Sequence, residues 1–139
     1  GWFWKREIMK IKIAVDTTPI ISALIGGISR NILFNHRFNF ISAEYTIEEV
    51  RKYLPLISKK SGVNKEEINE ALSLLSVKIY SKEYYKDKME KANKIMEKID
   101  KKDADILALS LKENCPIWSE DKHFRNLKEV NLIRTKDLV

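Results

Sequence analysis

Four acidic side chains, Asp16, Glu49, Asp103 and Asp121, stand at places in this sequence where carboxylates can converge. Asp16 directly follows the apolar run Ile13-Ala14-Val15, and Asp121 comes shortly after Ile117-Trp118. If both runs are strands of one parallel sheet, both acids lie at its carboxyl edge, where open α/β sheets bind their ligands. Asp103 opens an apolar helical stretch and Glu49 lies one turn inside another, so both can face the same crevice. Two carboxylates about 5 Å apart repel by roughly 3 kcal/mol at an effective dielectric near 20, and four multiply that cost. A fold gains no stability by gathering them. Either some take up protons or a divalent cation neutralises the group, and an all-oxygen donor set favours a hard ion, Mg²⁺ or Mn²⁺, that keeps several waters.

Each acid also has a structural alternative. Asp16 fits a capping turn, Asp103 and Asp121 fit helix N-caps, and Thr46-x-x-Glu49 matches a capping box. Helical geometry separates Glu48 from Glu49: at about 100° per residue, Glu48 lies nearly opposite the Ile47, Val50, Leu54 and Ile57 face, whereas Glu49 lies at its margin. The same geometry leaves Asp103 and Asp105 unresolved, because both flank the apolar side of their helix. His36 and His123 have no paired spacing suited to acid–base catalysis, and both are expected at the surface.

The elements that must position these groups follow from the apolar periodicity. Ile11, Ile13 and Val15 form a strand, with Thr18 and Pro19 as the cap and first position of the next helix. Phe38 to Ala43 is a second strand, and Thr46 opens a helix carrying Val50, Leu54 and Ile57 on one side. Asn64 starts another, through Ile68, Leu72 and Leu75, and Val77 to Tyr80 is a strand. Tyr85, Met89, Ala92, Met96 and Ile99 recur at spacings of four and three, as on an amphipathic helix. Asp103 to Lys112 is apolar on nearly every side and should pack deep against the sheet. Pro116 to Trp118 and Asn131 to Ile133 complete the strands. Strands alternating with helices predict a parallel α/β sheet covered on both faces.

The chain has 139 residues and a net charge of +6, enough apolar material for one core and a balance that favours encounter with a polyanion. Residues 1–8 read as an N-terminal extension or cloning-derived leader, and 9–139 as one domain. Cys115 is the single cysteine, which excludes an intramolecular disulfide and a cysteine-cluster metal site and fits a reduced, cytoplasmic setting. The apolar runs fall far short of the roughly 20 residues that span a bilayer, so no membrane association is expected.

The ordered segments resemble the PIN domain nucleases. Ile13-Ala14-Val15-Asp16-Thr17-Thr18 is similar to that family's opening motif, and Thr46-Ile47-Glu48-Glu49-Val50 to its second. Asp103-Ala104-Asp105-Ile106-Leu107-Ala108-Leu109-Ser110 resembles the third, and Ile117-Trp118-Ser119-Glu120-Asp121-Lys122-His123-Phe124 the fourth. Thr18 and Ser119 depart modestly from the commoner residues but keep a small polar group. The resemblance implies a three-layer α/β/α domain with a central, mainly parallel sheet of four to five strands. It implies a divalent-metal-dependent endoribonuclease in which Asp16, Glu49, Asp103 and Asp121 are both the catalytic residues and the ligands of Mg²⁺ or Mn²⁺. Asp105, Thr17 and Ser119 are then auxiliary. Small members of the family are often VapC-like toxins of type II toxin–antitoxin pairs, which adds RNA, a protein antitoxin and a second copy of the chain as expected partners. The alternative is a catalytically silent PIN-like module that binds nucleic acid or serves as a scaffold. Chemistry through an aspartyl-phosphate at Asp16 is disfavoured, because Thr18 stands where a second acid would be needed.

Overall fold

The computed structural model describes residues 10–35, 37–97 and 100–139. The proposed leader, His36 and Ile99 lie outside them. The chain opens with β1 (Ile11–Val15), α1 (Thr17–Leu24) and α2 (Ile28–Leu33). It continues through β2 (Phe38–Ala43), α3 (Glu44–Lys52), α4 (Leu54–Ser61), α5 (Lys65–Leu74) and β3 (Val77–Tyr80). Then come α6 (Lys82–Tyr85), α7 (Met89–Met96), α8 (Ala104–Glu113), β4 (Ile117–Trp118) and β5 (Leu132–Ile133). Short 3₁₀ turns precede α7 and α8 and follow β4 and β5.

All the strands are parallel, in the order β3-β2-β1-β4-β5. Strand order therefore reverses between β1 and β4, and the connections leave by opposite faces at that point. Alternation along each strand sends side chains to two separate cores. On one face Ile13, Val15, Phe40 and Trp118 pack with Ile20 of α1, Ile47 and Val50 of α3, Ile57 of α4 and Ile68 of α5. On the other, Ala14, Ile41 and Ile117 meet Tyr85, Met96 of α7 and the apolar length of α8. The result is the expected α/β/α layering. Among the described residues no helix is long and apolar enough to cross a membrane.

Three local expectations need correction. The first helix begins at Thr17 with Asp16 in the N-cap position, rather than with Thr18 as cap; Pro19 is tolerated one turn in because the first N–H groups of a helix have no intrahelical acceptor. The helix expected to open at Thr46 begins at Glu44 and ends at Lys52, and α4 starts afresh at Leu54. Pro55 accounts for that break, since its ring lacks an N–H and crowds the carbonyl four residues back. The amphipathic run from Tyr85 is likewise divided, with a 3₁₀ turn at Lys86–Lys88 between α6 and α7; side chains three apart still share a face there, so the apolar spacing survives the change of helix type.

Candidate metal centre

Register builds the centre of the site. Val15 pairs with Trp118, so the residues that follow, Asp16 and Ser119, emerge side by side at the carboxyl edge on either side of the strand-order reversal. The Asp16 N–H donates to the Trp118 carbonyl at 3.0 Å, and the Ser119 hydroxyl donates to Asp16 Oδ2 at 2.7 Å. The same hydroxyl oxygen accepts the Asp121 N–H at 2.9 Å. Ser119 is wholly buried and ties the acid after β1 to the acid after β4. Asp103 arrives from the third direction, on the 3₁₀ turn that leads into α8.

Carboxylate oxygens of Asp16, Asp103 and Asp121 lie within 4.8 Å of one another. Asp16 and Asp103 are buried and Asp121 is partly exposed, so the cluster has a closed side and an open side. The structural alternatives account for little of this. Neither Asp16 nor Asp103 caps its helix with its side chain, and Thr46 lies inside α3 rather than at its start, so a capping box with Glu49 does not form. Asp121 does cap, accepting the His123 N–H at 2.9 Å, while still facing the other two acids.

Burial is the main cause of the shifted acidities. It raises Asp16 above the usual carboxylate range, against the Ser119 hydroxyl and the Thr17 N–H, with the charge of Asp121 raising it further. It pushes Asp103 up to about 7, opposed by a hydrogen bond to His123 and reinforced by Asp16 and Asp121. Glu49, half-buried on α3, is raised by burial, lowered by Lys102 and raised by Asp16. Glu49 thus senses the cluster electrostatically but is not among the three acids gathered at its centre. Glu48 is exposed, as its helical position predicts.

The two acids that periodicity did not separate find different partners in space. Asp103 joins the cluster, whereas Asp105 is buried against α6, where the Tyr85 hydroxyl donates to its Oδ2 at 2.6 Å. Burial, and then that bond, hold the Tyr85 hydroxyl well above its ordinary range. Thr17 stands at the edge of the site, half-buried at the start of α1.

His123 is partly exposed, in keeping with a surface position, but sequence reasoning missed its partners. Its Nδ1 lies 3.1 Å from Asp103 Oδ2 and 3.2 Å from Asp121 Oδ1. The hydrogen bond to Asp103 is the largest influence favouring its protonated form, resisted by burial and aided by Asp121. The sequence signal was available: a residue two positions after a capping aspartate folds back toward that carboxylate. Asp100 was also missed; its carboxylate, which accepts the Lys102 N–H at 3.0 Å, forms a second group with Asp103 and His123.

An all-parallel sheet with acids gathered where its strand order reverses defines a doubly wound α/β domain with an acidic centre suited to a cation. The chain belongs to the PIN domain family, whose family model matches residues 14–134, a span that contains all four motif acids. No curated protein matches the chain. The family is one of nucleases, which makes hydrolysis of a phosphodiester the general class of activity. The donor set agrees with the divalent metals such enzymes use: three carboxylates, two of them buried, offer several oxygens to a hard ion and no soft ligand.

Proposed function

We propose that this protein is a divalent-metal-dependent endoribonuclease whose centre is Asp16, Asp103 and Asp121, with Glu49 at its margin. The observation that carries this reading is the convergence of three carboxylates, from β1, from the turn before α8 and from the loop after β4, within 4.8 Å. Asp16, Asp103 and Asp121 would hold Mg²⁺ or Mn²⁺, and Ser119 would fix the orientation of Asp16. When bound, such an ion lowers the pKa of a coordinated water and neutralises charge on phosphate oxygens. Glu49, raised by burial but open to solvent on one side, is suited to accept a proton from water beside the cluster. Thr17 is close enough to Asp16 to contact a water or phosphate oxygen at the same edge. The test is cleavage of RNA by the purified chain with Mg²⁺ or Mn²⁺ against the same reaction in EDTA; cleavage that persists unchanged in EDTA defeats the reading.

The two neighbouring aspartates should separate cleanly. Asp103→Asn is expected to weaken Mn²⁺ binding by about tenfold or more, on the scale of a lost ligand or its support, while Asp105→Asn should leave it within about twofold. Tyr85→Phe should instead cost about 1 to 3 kcal/mol of stability, because it leaves buried Asp105 without its donor. Titration calorimetry and urea unfolding read the two effects, and a larger loss of Mn²⁺ affinity at Asp105 would reverse the assignment.

The finer reading, from family likeness, is the toxin of a type II pair, cytoplasmic, dimeric and silenced by a protein antitoxin. Its support is the order of the four motifs.

A further inference from the structure

Beside the acidic cluster the carboxyl edge changes character. β5 ends at Ile133, and the chain then presents Arg134, Thr135 and Lys136. These residues form one wall of a groove of about 420 Å³, whose opposite wall is α1 and the start of α2, including Thr18, Ser22 and Ile28. Along the chain the groove is next to the centre, since its lining residue Thr18 lies two residues after Asp16 and its lining residue Glu120 immediately precedes Asp121. Acids thus follow β1 and β4, and cations follow the edge strand next to them.

The groove has the chemistry of a nucleotide seat. Arg134 is held in place through Nε, which donates to Glu120 Oε2 at 3.3 Å, while Glu120 Oε1 accepts the Thr135 N–H at 2.6 Å. Among the described residues no hydrogen bond engages the terminal guanidinium nitrogens of Arg134, which is partly exposed, and Lys136 is exposed. With Glu120 offset by one of these cations, the groove keeps a positive excess. Ile28, 50% exposed, gives the facing wall an apolar surface that suits the flat face of a base, and Thr18 and Ser22 add hydroxyls. A groove of this size takes a base only after it leaves its stack, so the ligand must be single-stranded.

We propose that this groove seats the nucleotide adjoining the scissile phosphodiester of a single-stranded nucleic acid, with Arg134 and Lys136 on its phosphate and Ile28 against its base. The proposal rests on the nuclease reading for its biological meaning, but binding can be measured without cleavage. The probe is a fluorescein-labelled ten-nucleotide single-stranded RNA, followed by anisotropy in EDTA across a salt series, with a blunt RNA duplex as comparison. Lys136→Met and Arg134→Met should each weaken single-strand binding by about five- to tenfold and lower the salt slope by about one. Thr18→Trp, which fills the groove from an exposed position, should weaken it further. Lys59→Met, an equal loss of charge on exposed α4, should change binding less than twofold. Because Arg134 also bonds Glu120, circular dichroism accompanies each variant, and Lys136 and Thr18 decide the matter if Arg134→Met misfolds. Equal losses at Lys136 and Lys59, unchanged binding by folded Thr18→Trp, or preference for the duplex would overturn the proposal. Loss of metal-dependent cleavage in wild type with these binding results intact would instead remove the nuclease reading and leave the seat standing.

Discussion

Asp16→Asn should lower Mg²⁺- or Mn²⁺-dependent cleavage of RNA by about a thousandfold or more, equivalent to about 4 kcal/mol of lost transition-state stabilisation. The same substitution should leave the metal-free protein as stable as wild type, or more stable. Asp16 is only 6% exposed, and burial already disfavours its ionised form. An asparagine keeps an oxygen that can accept the Ser119 hydroxyl while removing a charge that opposes Asp121 and Asp103. A residue retained for stability would show the reverse pattern, losing its fold with its charge. Cleavage rates in metal, paired with melting curves in EDTA, read both halves. Full activity in a folded Asp16→Asn protein would mean that the cutting belongs to another site or another protein.

The second large effect is on stability against pH. A carboxyl whose folded pKa is raised holds its proton in the native state while the unfolded chain has released it, so stability is present at low pH and lost as pH rises through the folded value. Asp103 rises from an ordinary 3.8 to about 7, and Asp16 and Glu49 move the same way. His123, also raised, holds its ring proton more firmly when folded and loses that contribution as pH climbs past its folded pKa. Every shift at the centre has the same sign. In EDTA the protein should therefore lose about 2 to 4 kcal/mol between pH 4 and pH 7, with Asp103 a principal source. Mn²⁺ competes with those protons, so its affinity should rise over the same interval and its stabilising effect should grow with pH. Urea titrations at pH 5, 6 and 7, with and without Mn²⁺, measure this. A metal-free protein that is most stable at pH 7 would show that the acids are not coupled in this way.

How much of this was legible in the sequence depends on how local the signal was. β2 and β3 announced themselves by composition, and their bounds match at Phe38–Ala43 and Val77–Tyr80. The buried length of α8 was visible because its apolar residues leave no polar face. α2 escaped, since Ile28–Leu33 is too short to establish a period. The split at Pro55 was written in the sequence and overridden by an apolar spacing that continued across it. At the site, the position of each acid relative to its strand could be read, but its partners could not. Asp105 and Tyr85 lie 20 residues apart on separate helices, and His123 reaches Asp103 over the same separation. Such pairs depend on packing angles that no periodicity records.

The Ser119–Asp16 hydrogen bond joins residues separated by 103 positions, and the strand that Ser119 follows is only two residues long. A ribosome extending this chain releases Asp16 long before Ser119, so the first carboxylate waits in a growing polypeptide while 103 further residues are added. Until β4 docks beside β1, Asp16, Ser119 and Asp121 have no common neighbourhood, and the folding of the last strands is also the assembly of the reactive centre. A chain cut short before β4 would thereby hold Asp16 without the hydroxyl that orients it and without the acid beside it.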